Sequence, residues 1–204
     1  MEEMTNRKEK KINVRTITMT GLFGALSAVL MMFSFNVPLM PSFIKMDFSE
    51  LPALIAAFSM GPLSGVMVCL VKNLINLMFS TTGGVGELSN FILGCAFVMP
   101  AGLVYKKNKN KKSAFVGALL GAVIMAVFSV FSNYFVVYPV YTMFMPMEAI
   151  LGMYQAIYSG IDNLLEALII FNMPFTFIKG MCSVLITFVI YKHISPIIKG
   201  TNKY

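Results

Sequence analysis

The stretch Leu51-Pro-Ala-Leu-Ile-Ala-Ala-Phe-Ser-Met-Gly61-Pro62-Leu-Ser-Gly-Val-Met-Val-Cys-Leu-Val-Lys72-Asn73-Leu-Ile-Asn76-Leu-Met-Phe79 is 29 residues long and almost wholly apolar. As one helix it would run about 44 Å at 1.5 Å per residue, too long for a hydrocarbon core of about 30 Å without a large tilt. Gly61-Pro62 breaks it, because a proline inside a helix removes a donor and clashes with the preceding turn. The stretch therefore reads as a short span over 51–60 and a further span over 63–79. The short one needs flanking residues to extend it or a locally thinned bilayer.

The charges outside this stretch support the division. Thirteen of the sixteen basic residues lie in three clusters: Arg7, Lys8, Lys10, Lys11 and Arg15; Lys106, Lys107, Lys109, Lys111 and Lys112; and Lys192, Lys199 and Lys203. Each borders a long apolar run, which is the positive-inside pattern with anionic inner-leaflet lipid as neighbour. An even number of crossings must then separate the first two clusters. Spans at 17–35, 51–60, 63–79 and 86–105 supply four; an unbroken 51–79 would supply three. The six acids beyond residue 10 (Asp47, Glu50, Glu87, Glu148, Asp162 and Glu166) all fall on or near the outer face of this topology.

With 57% hydrophobic and 12% charged residues in 204, and a mean hydropathy of +0.77, the chain is too apolar for a soluble domain of its size. It reads as one all-α membrane domain over 1–204: a bundle of six transmembrane helices with both termini cytoplasmic. Residues 1–15 form a cytoplasmic leader, and 17–35, with no clear cleavage site after it, is an uncleaved first span. Spans at 114–135 and 174–191 complete the set, with 136–171 as an outer loop holding one or two partial helices. Asn36 to Asp47, with two prolines, is a loop after which Asp47 or Ser49 can cap the next helix. The net charge of +7 is explained by the membrane-flanking clusters, so nucleic acid is not an expected partner.

Asn172, Thr176, Lys179 and Ser183 fall at i, i+4, i+7 and i+11, so one helical face carries an amide, a hydroxyl, an ammonium and another hydroxyl. A lysine in hydrocarbon costs roughly 2.5–3.5 kcal/mol, so this face calls for a cavity, a counter-charge or a ligand. Lys45 and Asp47 from the first outer loop, Glu87 and Asn90 opening the fourth span, and Asn133 closing the fifth sit at the same expected depth. Met40, Phe43, Phe91, Tyr134, Tyr138, Tyr141, Phe175 and Phe177 surround them. Such a pocket suits a flat, mostly apolar molecule with a polar edge. The alternative is that Lys179 pairs with Glu87 or Asp47 and the amides merely join helices. Lys72, Asn73 and Asn76 form a second intramembrane polar set whose use the sequence leaves open.

Catalysis has little support. No G-x-x-x-x-G-K-[ST], H-E-x-x-H or G-x-S-x-G occurs, and the only histidine, His193, sits beside Lys192 at a helix end. No metal-ligand cluster is present, and Cys69, Cys95 and Cys182 read as small packing residues.

Phe43-Ile-Lys-Met-Asp-Phe-Ser-Glu-Leu-Pro-Ala-Leu54, Gly61-Pro-Leu-Ser-Gly65, Lys72-Asn73, Thr82-Gly-Gly-Val-Gly-Glu-Leu-Ser-Asn-Phe91, Asn133-Tyr134, Pro139-Val-Tyr141 and Pro174-Phe-Thr-Phe-Ile-Lys-Gly180 resemble the substrate-binding S components of energy-coupling factor (ECF) transporters, and among them the riboflavin-specific RibU group. The resemblance implies a six-helix bundle that holds riboflavin near the extracellular face, with no ATPase of its own and no cofactor. It would dock onto a membrane T component and two ABC-type ATPases that drive uptake, by toppling in the bilayer. By resemblance Asn133, Thr176 and Lys179 contact the flavin and the first outer loop closes over it; Glu87, Asn90 or Asp47 could take ribityl hydroxyls. The docking face usually ascribed to an Ala-x-x-x-Ala motif on the first helix corresponds here to Gly21, Ala25, Gly24 and Ala28, and ordinary packing is its competing use. Thr176 stands where the group usually has asparagine. Competing functions are an S component for FMN, whose phosphate would favour Lys45, or for thiamine or another vitamin, and a structural membrane subunit without a ligand.

Overall fold

The computed structural model describes residues 14–80, 83–143 and 145–199, with side chains described through Ile190. Arg7, Lys8, Lys10, Lys11, Lys203 and Thr82, with the side chains of Lys192, His193 and Lys199, lie outside the described residues. Helix α1 (Val14–Met32) leads through a two-stranded antiparallel hairpin, β1 (Phe35–Asn36) and β2 (Lys45–Met46), into α2 (Glu50–Met60). Then follow α3 (Pro62–Leu77), α4 (Val85–Lys107), α5 (Lys111–Ser132), α6 (Tyr138–Tyr141), α7 (Met147–Gln155), α8 (Leu164–Ala167) and α9 (Met173–Lys199). Among the described residues four runs, Val14–Met32, Val85–Lys107, Lys111–Tyr141 and Leu164–Ile190, are long and apolar enough to cross a membrane; α2 and α3 are shorter apolar helices.

The break at Gly61-Pro62 is where the sequence places it. Gly61 has φ 107°, a conformation that other residues rarely adopt, and Pro62 opens α3. The short α2 is enclosed by the bundle. Pro52 to Phe58 are all buried, because α1, α3, α4 and α9 surround the helix.

Close helix approach replaces a hydrophobic drive that lipid does not provide. α5 lies on α4 through Gly117, where an added Cβ would come within 2.8 Å of the Ala101 carbonyl oxygen, and through Gly121, which leaves room for the Phe97 carbonyl. At Gly24 of α1 a Cβ would run into Val71 of α3.

Three expectations change. First, 136–171 is not one outer loop. Residues 136–141 continue the fifth helix through a π-helical turn (Asn133–Val137) into α6, and the last long helix begins at Leu164, passing through a second π-helical turn (Leu168–Asn172). Only 142–163 joins them, carrying α7. Each π-helical turn ends two residues before a proline, Pro139 or Pro174. A proline in a helix leaves the carbonyl four residues back without a donor and clashes with it; the wider turn accommodates both. Second, the 36–47 loop is a hairpin whose strands pair Phe35 with Met46 and Asn36 with Lys45. Ser49 takes the N-cap position of α2 but makes no side-chain cap bond; Asp47 Oδ1 accepts from the Ser49 N–H at 2.9 Å. Third, the small-residue stripe of α1 is split. Gly24 and Ala28 are buried against α3, with Asn76 Nδ2 donating to the Ala28 carbonyl at 3.2 Å, and only Gly21 and Ala25 face outward. Gly24 and Ala28 therefore pack within the chain. Cys69, Cys95 and Cys182 are free thiols, Cys69 fully buried in the core.

Candidate functional site

A cavity of about 160 Å3 opens where the starts of α2, α4 and α9 meet the end of α5 and the hairpin. The hairpin loop supplies Phe43 and Ile44; α2 gives Glu50; α4 gives Gly86, Ser89, Asn90 and Leu93. From the fifth helical run come Met125, Asn133, Val137, Tyr138 and Tyr141, and from the last come Asn172, Phe175, Thr176 and Lys179. Both π-helical turns border it, one beginning at Asn133 and the other ending at Asn172, in keeping with the frequency of such turns at functional sites.

The polar stripe of the last helix serves two purposes. Asn172, Thr176 and Lys179 reach the cavity, whereas Ser183 donates to the Lys179 carbonyl at 3.2 Å and is fully buried. Lys179 Nζ lies 2.9 Å from Asp47 Oδ2 and 3.4 Å from Glu50 Oε2. The other Glu50 oxygen, Oε1, lies 2.9 Å from Lys72 Nζ, which also donates to Ser49 Oγ at 2.6 Å. Ser27 Oγ of α1 donates to the Ser49 carbonyl. Two carboxylates and two ammoniums thus share one buried network with no net charge. Burial alone would push the Asp47 carboxyl up, but Lys179, Lys72 and the Ser49 bond more than offset it and hold it at about 2.

A second network is uncharged. Tyr154 of α7 donates to Asn172 Oδ1 at 2.7 Å and is bonded to the Tyr138 hydroxyl; Asn172 Nδ2 donates to Tyr138 Oη at 3.4 Å. Burial pushes the Tyr154 hydroxyl up from its ordinary range, so it remains a neutral donor. Phe43 packs edge-on against Tyr138 and Tyr154, with ring centroids 6.2 Å and 5.9 Å apart. Asn90, which lines the cavity, has one buried acceptor, Oδ1, with no hydrogen-bond partner among the described residues.

Of the residues singled out from sequence, Lys179, Thr176, Asn133, Asn172, Asn90, Phe43 and Tyr141 line the cavity. Asp47 does not; it sits behind Lys179 as its counter-ion. Glu87 accepts from Ser80 Oγ at 2.8 Å in the turn before α4, outside the lining. Lys45 is exposed on β2, and Met40 packs on the apolar cluster around Tyr138 and Tyr154. Lys179 pairs with Asp47 and Glu50, not with Glu87. The residues that sequence reasoning missed are Glu50, Ser89 and Tyr154. For Glu50 the signal was present, an acid with no stated partner at the start of an apolar helix in a chain carrying two intramembrane lysines. For Tyr154 there was none, since nothing local ties α7 to Asn172.

The chain matches the family described as ECF transporter, substrate-specific component, over residues 15–191. It is 32% identical to the riboflavin transporter RibU of Staphylococcus aureus (strain TCH60) over 188 residues, 92% of this chain and 93% of that protein. Over 190 residues it is 29% identical to the riboflavin transporter FmnP of Bacillus subtilis (strain 168), 91% of this chain and 94% of that protein. A solved structure described as "Structure and mechanism of the S component of a bacterial ECF transporter" superposes with a TM-score of 0.72 at 30% identity, covering 91% of this chain and 98% of that one. A family match over nearly the whole described chain, with a relative above 30% identity along its length, places this chain among the substrate-specific components of ECF transporters.

Proposed function

We propose that the chain captures riboflavin at the outer face of the bacterial cell membrane and passes it to an energising module, a membrane T component with two ABC-type ATPases, for ATP-driven uptake. In this reading it is a six-span bundle formed by α1 to α5 and the last helical run, with both termini cytoplasmic. The end of the bundle carrying Arg15 and the Lys106–Lys112 turn then faces the anionic inner leaflet.

The observation that carries the ligand class is the cavity: aromatic walls from Phe43, Tyr138, Tyr141 and Phe175, an ammonium at one end and an acceptor at Asn90. A flavin ring offers two apolar faces and an edge bearing both carbonyls and an N–H. Lys179 has three donors, two of them directed to Asp47 and Glu50, which leaves one for a ring carbonyl. Asn90 Oδ1 takes an N–H or a hydroxyl, and Asn133 and Thr176 supply further edge bonds. At about 160 Å3 the cavity is below the roughly 300–1,000 Å3 of ligand pockets, so in this reading it widens around the ring. The riboflavin transporters among its relatives support the same vitamin.

The cavity charge bears on the choice between riboflavin and FMN. Both lysines are already paired, Glu50 lines the wall, and Lys45 is outside the lining, so a phosphate finds no uncommitted ammonium among the described lining residues. The neutral flavin is therefore the preferred ligand. Detergent-purified protein, stripped of ligand, is titrated with riboflavin and with FMN and read by flavin fluorescence. Quenching by riboflavin saturates near one flavin per chain, at lower concentration than FMN. Folded protein that quenches neither overturns the reading.

A further inference from the structure

We infer that Lys72, which does not line the cavity, is a positioning residue for ligand binding, acting through Glu50 on Lys179. The inference rests on the proposed function, in which Lys179 donates to the ligand.

Lys72 is fully buried in α3, 0% exposed, and Glu50 is 1% exposed. Glu50 divides its two carboxylate oxygens between two cations: Oε1 to Lys72 at 2.9 Å and Oε2 to Lys179 at 3.4 Å. The shorter contact faces away from the cavity and the longer one toward it. Lys179 in turn makes its shorter contact with Asp47, at 2.9 Å. This ordering has a consequence for the ammonium at the cavity wall. While Lys72 compensates Glu50, Lys179 is held loosely by Glu50 and keeps one donor turned to the cavity. Without Lys72, Glu50 and Asp47 would share Lys179 as their one close cation, and the ammonium would be drawn onto both carboxylates and away from a ligand carbonyl.

A packing role for Lys72 between α2 and α3 makes the opposite forecast for a particular pair of variants. Breaking one member of a buried ion pair leaves the other charge uncompensated, whereas replacing both members by neutral groups of similar shape is tolerated far better. Lys72→Met keeps much of the side-chain length but leaves the network one negative charge in excess. Glu50→Gln added to it restores neutrality while removing a further native contact. Charge-based positioning ranks the double variant above the single one; packing ranks it below.

The full-length, detergent-purified chain, Lys72→Met, Glu50→Gln/Lys72→Met and Lys179→Ala are titrated with riboflavin, and the visible absorption band of the bound flavin is recorded, because an ammonium at a ring carbonyl shifts it. Lys72→Met is expected to bind at least about tenfold more weakly, with its band displaced toward that of Lys179→Ala, and the double variant at least about threefold more tightly than the single. Parent-like affinity in Lys72→Met, a band that stays at the parent position, or a double variant no tighter than the single overturns the inference. If Lys72→Met does not fold, the double variant decides: folded, with the parent band, it supports the inference; unfolded, non-binding or with the Lys179→Ala band, it overturns it. A parent chain that fails to bind riboflavin refutes the functional reading instead, so the two failures are distinguishable.

Discussion

The two networks at the cavity hold the same helix in different ways. On one side Asp47, Glu50, Lys72 and Lys179 form a charged set drawn from the hairpin connection, α2, α3 and α9. On the other, Tyr138, Tyr154 and Asn172 form a neutral set from α6, α7 and the second π-helical turn. Asn172 and Lys179 are seven residues apart, so about 10 Å of one helix spans both. In the charged set no member can be lost alone without stranding a buried charge, which costs about 3–5 kcal/mol. In the neutral set each lost bond costs about 0.5–1.5 kcal/mol, because only a hydrogen bond is missing. The first is a rigid anchor and the second an adjustable one.

Lys179→Ala should break the comparison most sharply. It strands Asp47 and leaves Glu50 to Lys72 alone, and it removes the ammonium from the cavity. Riboflavin affinity falls at least about tenfold, with a loss of thermal stability on the order of 3–5 kcal/mol; unchanged affinity by fluorescence titration removes the residue from the site. Asn90→Leu should move binding and stability in opposite directions. Its buried, unpartnered Oδ1 costs the folded chain a desolvated acceptor, so the melting temperature rises or holds while flavin affinity drops by about tenfold, the equivalent of about 1.4 kcal/mol. A joint loss of both would make Asn90 a structural residue.

Tyr154→Phe keeps the ring against Phe43 and Phe171 and deletes the hydroxyl that joins Asn172 to Tyr138. About 1–2 kcal/mol of stability and a roughly threefold loss in affinity are expected. A loss as large as that of Lys179→Ala would erase the distinction between the two sets. Acid probes the charged set without a substitution. Asp47 is held at about 2, below its ordinary 3.8. A depressed carboxyl contributes its full stability above about pH 4 and loses it as pH falls toward 2. Thermal melts of the parent should therefore weaken in that window. Asp47→Asn should lose the component due to this group, and an identical acid profile in the variant would assign it elsewhere.

How much of this was legible depended on whether a signal was local. Gly61-Pro62 marked the α2–α3 junction because proline and glycine act on their own backbone, and the i, i+4, i+7 stripe reached the cavity because helical spacing is fixed. The run from Leu164 was misread because Asp162, Asn163 and Glu166 look polar one residue at a time. In the fold Glu166 accepts from the Asp162 N–H at the helix start, and Asn172 is sealed by two tyrosines. The proline at 174 looked like a boundary because the π-helical turn that accommodates it has no composition of its own. The stripe on α1 was right in its spacing, but which half faces outward depends on where α3 lies. Lys72 and Glu50, 22 residues apart, meet only because Gly61 reverses the chain.

The enclosure of α2 also determines how the site meets its surroundings. A helix enclosed by its neighbours does not meet bilayer thickness, chain saturation or local curvature directly; α1, α3, α4, α5 and α9 carry the exposed apolar side chains. Glu50, at the first residue of that shielded helix, belongs to an inner frame that the bilayer does not load directly.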